Sequence, residues 1–425
     1  MDRSAYFCVL LFAASLFVLP ALANVALVLA GLLMLSRPRS AWERLRGHPL
    51  WLPLGLALAY LAAHLLWQAA RLGHLPPPAS EEALDLLKYL LLLPVAWVVA
   101  GQPRRVRWML VLAGAGLVVQ VLVQTPWGEL ADLYTPGRRV DFGFTSVAAG
   151  LYCAAGLLGV LALVPAALPA AGRRQAVVVV AAAVAVAVLT AALLLSGSRG
   201  AWLALLLALP VCLSGPWLTR RSLRPVQAAL ALCMVVVLLA GGESVARRLG
   251  DDAPAYQALI ATVQAADDAA ADRAWRAIPH NSVGLRLHLW RLAFDSWRQQ
   301  PLVGHGLGAP RELIAGAPDP QLRPMAHLHN TYLDLAVRLG VIGLLLAAAL
   351  PGSLALGLRR AAGDGLQAPD LRRFMFGALV LTAVWGLFDS RLFTLDFRLY
   401  ALLLGGIALG LGLDLPRRGG TACAS

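Results

Sequence analysis

The chain has 425 residues, of which 59% are apolar and only 14% charged, with a mean hydropathy of +0.71. Soluble domains carry roughly 25% charged and about 45–50% apolar residues, so the composition excludes a water-soluble globular chain, a disordered one and a collagen-like or disulfide scaffold. The net charge of +13 is almost all arginine, with Lys88 the sole lysine, and the arginines lie in short clusters between apolar runs, a placement that sets membrane topology rather than one that grips nucleic acid.

A hydrocarbon core of about 30 Å is crossed by about 20 apolar helical residues. Runs of that kind fall at 4–19, 21–36, 50–70, 83–101, 107–124, 143–165, 175–195, 199–217, 224–242, 329–357, 373–389 and 397–414. They predict an all-α polytopic membrane protein of about twelve transmembrane helices, a single multi-pass domain over 1–425. Residues 1–23 also have the outline of a signal peptide ending in Ala21-Leu22-Ala23, but are read here as a membrane helix.

Loop charge gives the orientation. With the N-terminus inside, the inner loops hold Arg37, Arg39, Arg44 and Arg46, then Arg104, Arg105 and Arg107, then Arg173 and Arg174. The later inner loops hold Arg220, Arg221 and Arg224, then Arg359, Arg360, Arg372 and Arg373, and the tail holds Arg417 and Arg418. The short outer loops have only Arg71, Arg138, Arg139, Arg199, Arg391 and Arg398. Basic loops stay in the cytoplasm, so both termini are expected there.

One connection breaks the pattern. Residues 243–328, between the ninth and tenth helices, form an outer segment too long for an ordinary loop, and such segments are usually functional. It carries the acidic patches Asp251-Asp252, Asp267-Asp268 and Asp272. A helix is predicted over Leu285–Gln299, bringing Leu285, His288, Leu289, Leu292 and Phe294 near one another. It ends in Gly304-His305-Gly306-Leu307-Gly308, which lacks the strand and helix of a phosphate loop and reads as a flexible corner. Walker A, HExxH, GxSxG and paired CxxC motifs are absent, and the scattered Cys8, Cys153, Cys212, Cys233 and Cys423 have no metal-ligand spacing.

Three groups of polar residues gather at the outer face. Arg199, in Ser196-Gly197-Ser198-Arg199-Gly200-Ala201-Trp202, sits between two apolar helices with almost no loop. It serves either as an interfacial anchor or as an anion ligand beside a helix N-terminus. His329 and Asn330 fall where the long segment meets a membrane helix, as an interfacial cap pair or as the seat of a general base. His327 and His329, two apart, would not share a helix face, so no metal pair is expected. Arg286 and Arg291 lie on the predicted helix near Trp290 and Trp297, where either could complete an anion site with Arg199.

His329-Asn330, nine residues and then Gly340-Val341-Ile342-Gly343 form a signature that resembles bacterial O-antigen ligases, which share a domain with O-antigen polymerases and protein O-oligosaccharyltransferases. The segments 196–202 and 301–308 are similar to parts of the same domain, and the layout of helices around one large loop fits it. Arg338, inside the spacer, is unusually polar for a membrane helix. The resemblance implies a glycosyltransferase of lipopolysaccharide biosynthesis in the inner membrane. It would move a glycan from undecaprenyl pyrophosphate to a lipid A–core sugar hydroxyl on the periplasmic side, with membrane lipid as surroundings and no cofactor or nucleic-acid partner.

Such a donor already has a good leaving group, which needs charge stabilisation, while the acceptor hydroxyl needs a base. The expected assignment is His329 as base and Arg199 and Arg286 on the pyrophosphate, with Arg286 preferred to Arg291 on the resemblance. Asn330, Arg138, Arg139, Asp389 and Arg391 are expected as further substrate-binding residues, without a metal. A polymerase or protein oligosaccharyltransferase would use the same donor. A transporter would be expected to show related halves with broken helices and charges near the midplane.

Overall fold

The computed structural model describes residues 3–132, 138–167, 172–213, 251–361 and 368–413, with isolated positions between 232 and 250. Among these residues the chain is helical throughout and has no strand. The first half comprises α1 (Arg3–Ser15), α2 (Pro20–Leu35), α3 (Pro38–Leu45), α4 (Trp51–Leu72), α5 (Pro77–Leu87), α6 (Leu92–Val99), α7 (Pro103–Gln124), α8 (Ser146–Ala167), α9 (Arg173–Ser196) and α10 (Arg199–Leu213). Proline opens several of them, where its missing N–H costs nothing and its fixed φ is already helical.

Among the described residues five helices are long and apolar enough to cross a bilayer: α4, α7, α8, α9 and a long helix, α15 (Thr331–Arg360). The pair α2 and α3, bent by 98°, makes a sixth if taken as one span. The remaining predicted spans are shorter or lie elsewhere. The run at 83–101 divides into α5, a 3-10 turn at Lys88–Leu91 and α6. Pro94 accounts for the break, because its ring would strike the carbonyl of Leu90 and it has no N–H to donate. The runs at 373–389 and 397–414 become α16 (Pro369–Trp385) and α17 (Leu395–Leu411), and the run at 224–242 lies, but for isolated positions, outside the described residues.

The main core joins α1, α2, α6 to α10, α16 and α17, with Trp385, Tyr152 and Phe12 fully buried in it. Small residues let helices approach closely, as where Gly406 and Gly410 of α17 meet Val95 and Val99 of α6. Leu52, Leu66, Val123, Val177 and Val180 are exposed on the outside, as a lipid-facing surface requires.

Four short helices cover one end of this bundle: α11 (Ala253–Val263), α12 (Asp268–Arg276), α13 (Ser282–Trp297) and α14 (Ala309–Ala315). They have a small core of their own around Leu289, Ala293, Ile314, Leu322 and Leu328, which reaches Val337 of α15. Asp267 and Asn281 cap α12 and α13 by accepting from Ala270 N–H (2.6 Å) and Gly284 N–H (2.9 Å). The expected apolar face of α13 holds at Leu289 but not at Phe294, which is exposed.

The 301–308 segment is not the flexible corner expected of it. It is wedged into a break in α15 at Gly340, whose φ of 64° and ψ of −168° suit glycine alone. His305 N–H donates to Val337 O (2.7 Å) and Gly306 N–H to Arg338 O (3.0 Å). In return, Val341 N–H donates to Pro301 O (2.9 Å) and Ile342 N–H to Leu302 O (3.2 Å). The backbone groups freed by the break are thus satisfied by the wedge.

Arg338 is explained by the same junction. Its guanidinium holds both oxygens of Glu82 from α5, Nε to Oε2 at 2.8 Å and Nη2 to Oε1 at 3.0 Å. It also pairs with Asp334 and lies 4.5 Å from the Phe393 ring centroid. Glu82 accepts from Gly308 N–H as well (2.8 Å), so α5, the wedge and α15 share one buried ionic knot.

Candidate active site

At the covered end, α9, α15 and α10 meet the segment 386–394 that joins α16 to α17. The helix α15 begins at Thr331, whose N–H donates to Gly386 O (2.8 Å) and whose Oγ1 donates to Asp389 O (2.8 Å). Its cap is Asn330, whose Oδ1 accepts from the N–H groups of Tyr332 and Leu333, both at 3.0 Å. The histidines that precede the cap are therefore outside the helix. His329 has a left-handed φ of 50°, a strained conformation for a residue with a side chain. This turns its ring beside that of His327, with centroids 4.1 Å apart.

Asp389, 1% exposed, faces both rings: its Oδ1 lies 3.1 Å from His329 Nδ1 and 3.5 Å from His327 Nδ1. Burial alone would raise its carboxyl. The His329 hydrogen bond and the charges of His327, His329 and Arg391 outweigh burial and hold it down at about 2. Burial pushes the His327 imidazole down to about 4 against the pull of Asp389, so that ring is neutral near pH 7. Arg391 is clamped between two carboxylates, Nε to Asp389 Oδ2 and Nη1 to Asp396 Oδ2, each at 3.2 Å. Asp396 also accepts from Tyr152 OH (3.1 Å).

Arg286 reaches toward this group from α13. Its Nη1 donates to the carbonyl and the hydroxyl of Ser282, both at 2.9 Å, while its Nε–H is buried without an acceptor among the described residues. Burial lowers its pKa, partly countered by the Asp389 charge. Arg139 approaches the same Ser282 hydroxyl at 3.5 Å, so two guanidinium groups converge there. Arg199, the first residue of α10, is ion-paired with buried Asp252 of the cap. The α10 start is brought to this place by Gly200, which packs against Phe388, next to Asp389. Arg138 pairs instead with Glu129, and Arg291 with exposed Asp272.

Of the expected residues, the fold thus groups His329, Asp389, Arg391, Arg286 and Arg139. Arg199 joins them from the adjoining α10 start, Asn330 acts as the cap beneath, and Arg138 stays apart. Sequence reasoning missed Asp252 as the partner of Arg199, and missed Ser282, Asp396 and Tyr152. Only Asp252 had a signal, its place in an acidic pair.

The expectation of no metal pair rested on placing both histidines on one helix, where residues two apart do not share a face. They are not on the helix, and ligand atoms of His327, His329 and Asp389 all lie within 4.8 Å of one another, a set that could hold a metal ion. Arg391 beside the same carboxylate weighs against a cation there.

An all-helical chain with several bilayer-length apolar helices, and a charged site under a helical cap at one end, is a polytopic membrane protein. The family model that matches it is O-antigen ligase, over residues 184–348, from within α9 to within α15. The resemblance drawn from the His-Asn and Gly-x-x-Gly signature thus holds over the stretch that contains Arg199, Arg286 and His329. Members of this family are glycosyltransferase-like enzymes with lipid-linked glycan substrates. None of the curated proteins compared matches the chain.

Proposed function

We propose that the protein is an O-antigen ligase of the bacterial inner membrane, with about twelve spans, both termini cytoplasmic and the covered end periplasmic. It transfers a glycan from undecaprenyl pyrophosphate to a lipid A–core hydroxyl. The observation that carries this reading is the pairing of His329 with Asp389 beside Arg286, whose buried Nε–H lacks an acceptor. A part-buried guanidinium with an unsatisfied donor is suited to an anion, and its planar fork matches phosphate oxygens.

In this scheme Asp389 holds the Nδ1 side of His329, and Nε2 takes the proton of the acceptor hydroxyl. The acceptor oxygen attacks the anomeric carbon as the bond to the pyrophosphate oxygen breaks. The electron pair leaves with undecaprenyl pyrophosphate, whose charge Arg286, Arg139 and Arg199 stabilise. A single displacement inverts the anomeric configuration. For Arg199 to take part it must exchange Asp252 for phosphate. Arg391 acts through Asp389, and Asn330 fixes the start of α15.

The test is transfer by purified protein to defined acceptors. His329→Ala or Arg286→Ala at matched expression lowers the rate by at least about 10²-fold. Near-wild-type transfer by either variant removes that residue from the scheme. The competing reading of the same atoms, a divalent ion on His327, His329 and Asp389, requires loss of activity on exhaustive chelation, whereas the base scheme keeps it. Extension of a second lipid-linked glycan in place of the core would make the protein a polymerase, and transfer to protein an oligosaccharyltransferase.

A further inference from the structure

A polar cavity lies on the side of α13 away from Arg286. Its volume is about 400 Å³, within the roughly 300–1,000 Å³ of small-ligand sites. It is lined by Trp67, Gln68 and Arg71 at the end of α4, by Asp295 of α13 and Gln299 in the turn that follows it, and by Glu312 of α14. Arg286 and Trp290 lie on one face of α13, whereas Leu292, Asp295 and Ser296 follow one another at helical spacing on another, so the cavity is separate from the His329 site.

The cavity has a built wall. His305 and Leu307 of the wedge form part of it, and Gly306 presses so closely on the Gln68 amide that a Cβ there would lie 2.6 Å from it. Gln68 donates through Nε2 to Leu307 O (3.0 Å), while its Oε1, on a residue 4% exposed, has no partner among the described residues. Gln68 is thus fixed behind the wall by the wedge backbone, and the polar groups open to the cavity are those of Arg71, Asp295, Gln299 and Glu312.

The lining chooses the chemistry. Arg71 is the one cation against the carboxylates of Asp295 and Glu312, so a second pyrophosphate is disfavoured. Carboxylates, amides and a guanidinium around one indole offer the many acceptors and donors, with one apolar ring, that a polyhydroxyl ring can use. Position agrees: Trp67 to Leu72 is the last turn of α4, a helix able to cross a bilayer, so the cavity opens where such a helix ends.

We propose that this cavity is a saccharide subsite, taking an uncharged or amino sugar of a lipid-linked glycan away from the reacting carbon. The proposal rests on the functional reading above for the source of that sugar. Two sources share the chemistry, the acceptor core and the donor glycan.

The experiment uses the full chain in nanodiscs with two probes, the delipidated core oligosaccharide and the delipidated glycan repeat from its own cells. Binding is read by saturation-transfer NMR, and KM for each lipid-linked substrate is measured in parallel. The combined Asp295→Asn, Gln299→Ala and Glu312→Gln variant changes exposed groups only, the two carboxylates isosterically and Gln299 by truncation. It is expected to weaken one probe at least tenfold and raise the matching KM with kcat kept, while His329→Ala binds that probe as the wild type does. A rise in the core KM identifies an acceptor subsite, and a rise in the donor KM a donor subsite. If neither probe binds the wild type, or the triple variant binds both within twofold, the subsite is refuted even where transfer proceeds. Cavity-dependent binding in a protein that transfers nothing refutes the ligase reading and leaves the subsite standing.

Discussion

At the scale of single residues, the buried carboxylate of Asp389 has two tasks. It orients His329 through Oδ1 and neutralises Arg391 through Oδ2. Asp389→Asn keeps the shape and removes the charge, and an amide can offer His329 Nδ1–H the wrong group. The expected result is a fall in kcat of about 10²-fold or more with little change in donor KM, measured on protein with unaltered elution in detergent. A second residue tests electrostatics at the opposite end. His48 is 3% exposed, accepts from Leu50 N–H at Nδ1 (3.0 Å), and is packed against Gly357 and Gly412. Burial, and then the charge of Arg360, push its imidazole from 6.5 down to about 4. The fold therefore favours the neutral ring. Its contribution to stability is full above about pH 6.5 and is lost as pH falls toward about 4, because the unfolded chain takes up the proton first. Thermal midpoints recorded across that window should fall with acidity, and His48→Gln should flatten the slope.

At the scale of elements, the break in α15 is the feature on which the wedge depends. Gly340 combines a conformation closed to other residues with Leu302 O only 2.1 Å from where a Cβ would stand. Gly340→Ala should cost about 3 kcal/mol or more, the upper end of what a strained backbone position carries. Gly352→Ala in the same helix, where nothing lies within 4 Å, should be neutral or slightly stabilising. Thermal unfolding of both variants in detergent separates a special role for Gly340 from a general intolerance of α15. The Gly-x-x-Gly motif was legible in the sequence as a pattern, but not as a break. Hydropathy runs straight through Gly340, and only the 301–306 carbonyls and amides, some forty residues earlier, reveal why the helix can stop hydrogen-bonding to itself.

At the scale of the whole molecule, the buried knot of Arg338, Glu82 and Asp334 ties the wedge under the cap to α5 and α15. Arg338→Met leaves two buried carboxylates without their guanidinium, which should cost about 3–5 kcal/mol in a thermal or denaturant titration. Adding Glu82→Gln in that background should recover part of the loss, because the removed charge no longer needs a partner. Apolar runs and arginine placement alone determined that this chain is helical and membrane-bound, since burying or solvating so much apolar surface has few other solutions. The His-Asn signature alone marked where the chemistry would be sought. Tertiary structure decided the rest. Asp389 sits sixty residues from His329, and Arg199 is matched with Asp252 across the cap, pairings that no local pattern encodes. It also lifted the two histidines off the helix, because Asn330 caps one residue after His329 and a left-handed turn brings their rings together. Periodicity describes a residue's neighbours along one helix, whereas a charged site is made where the ends of several helices meet.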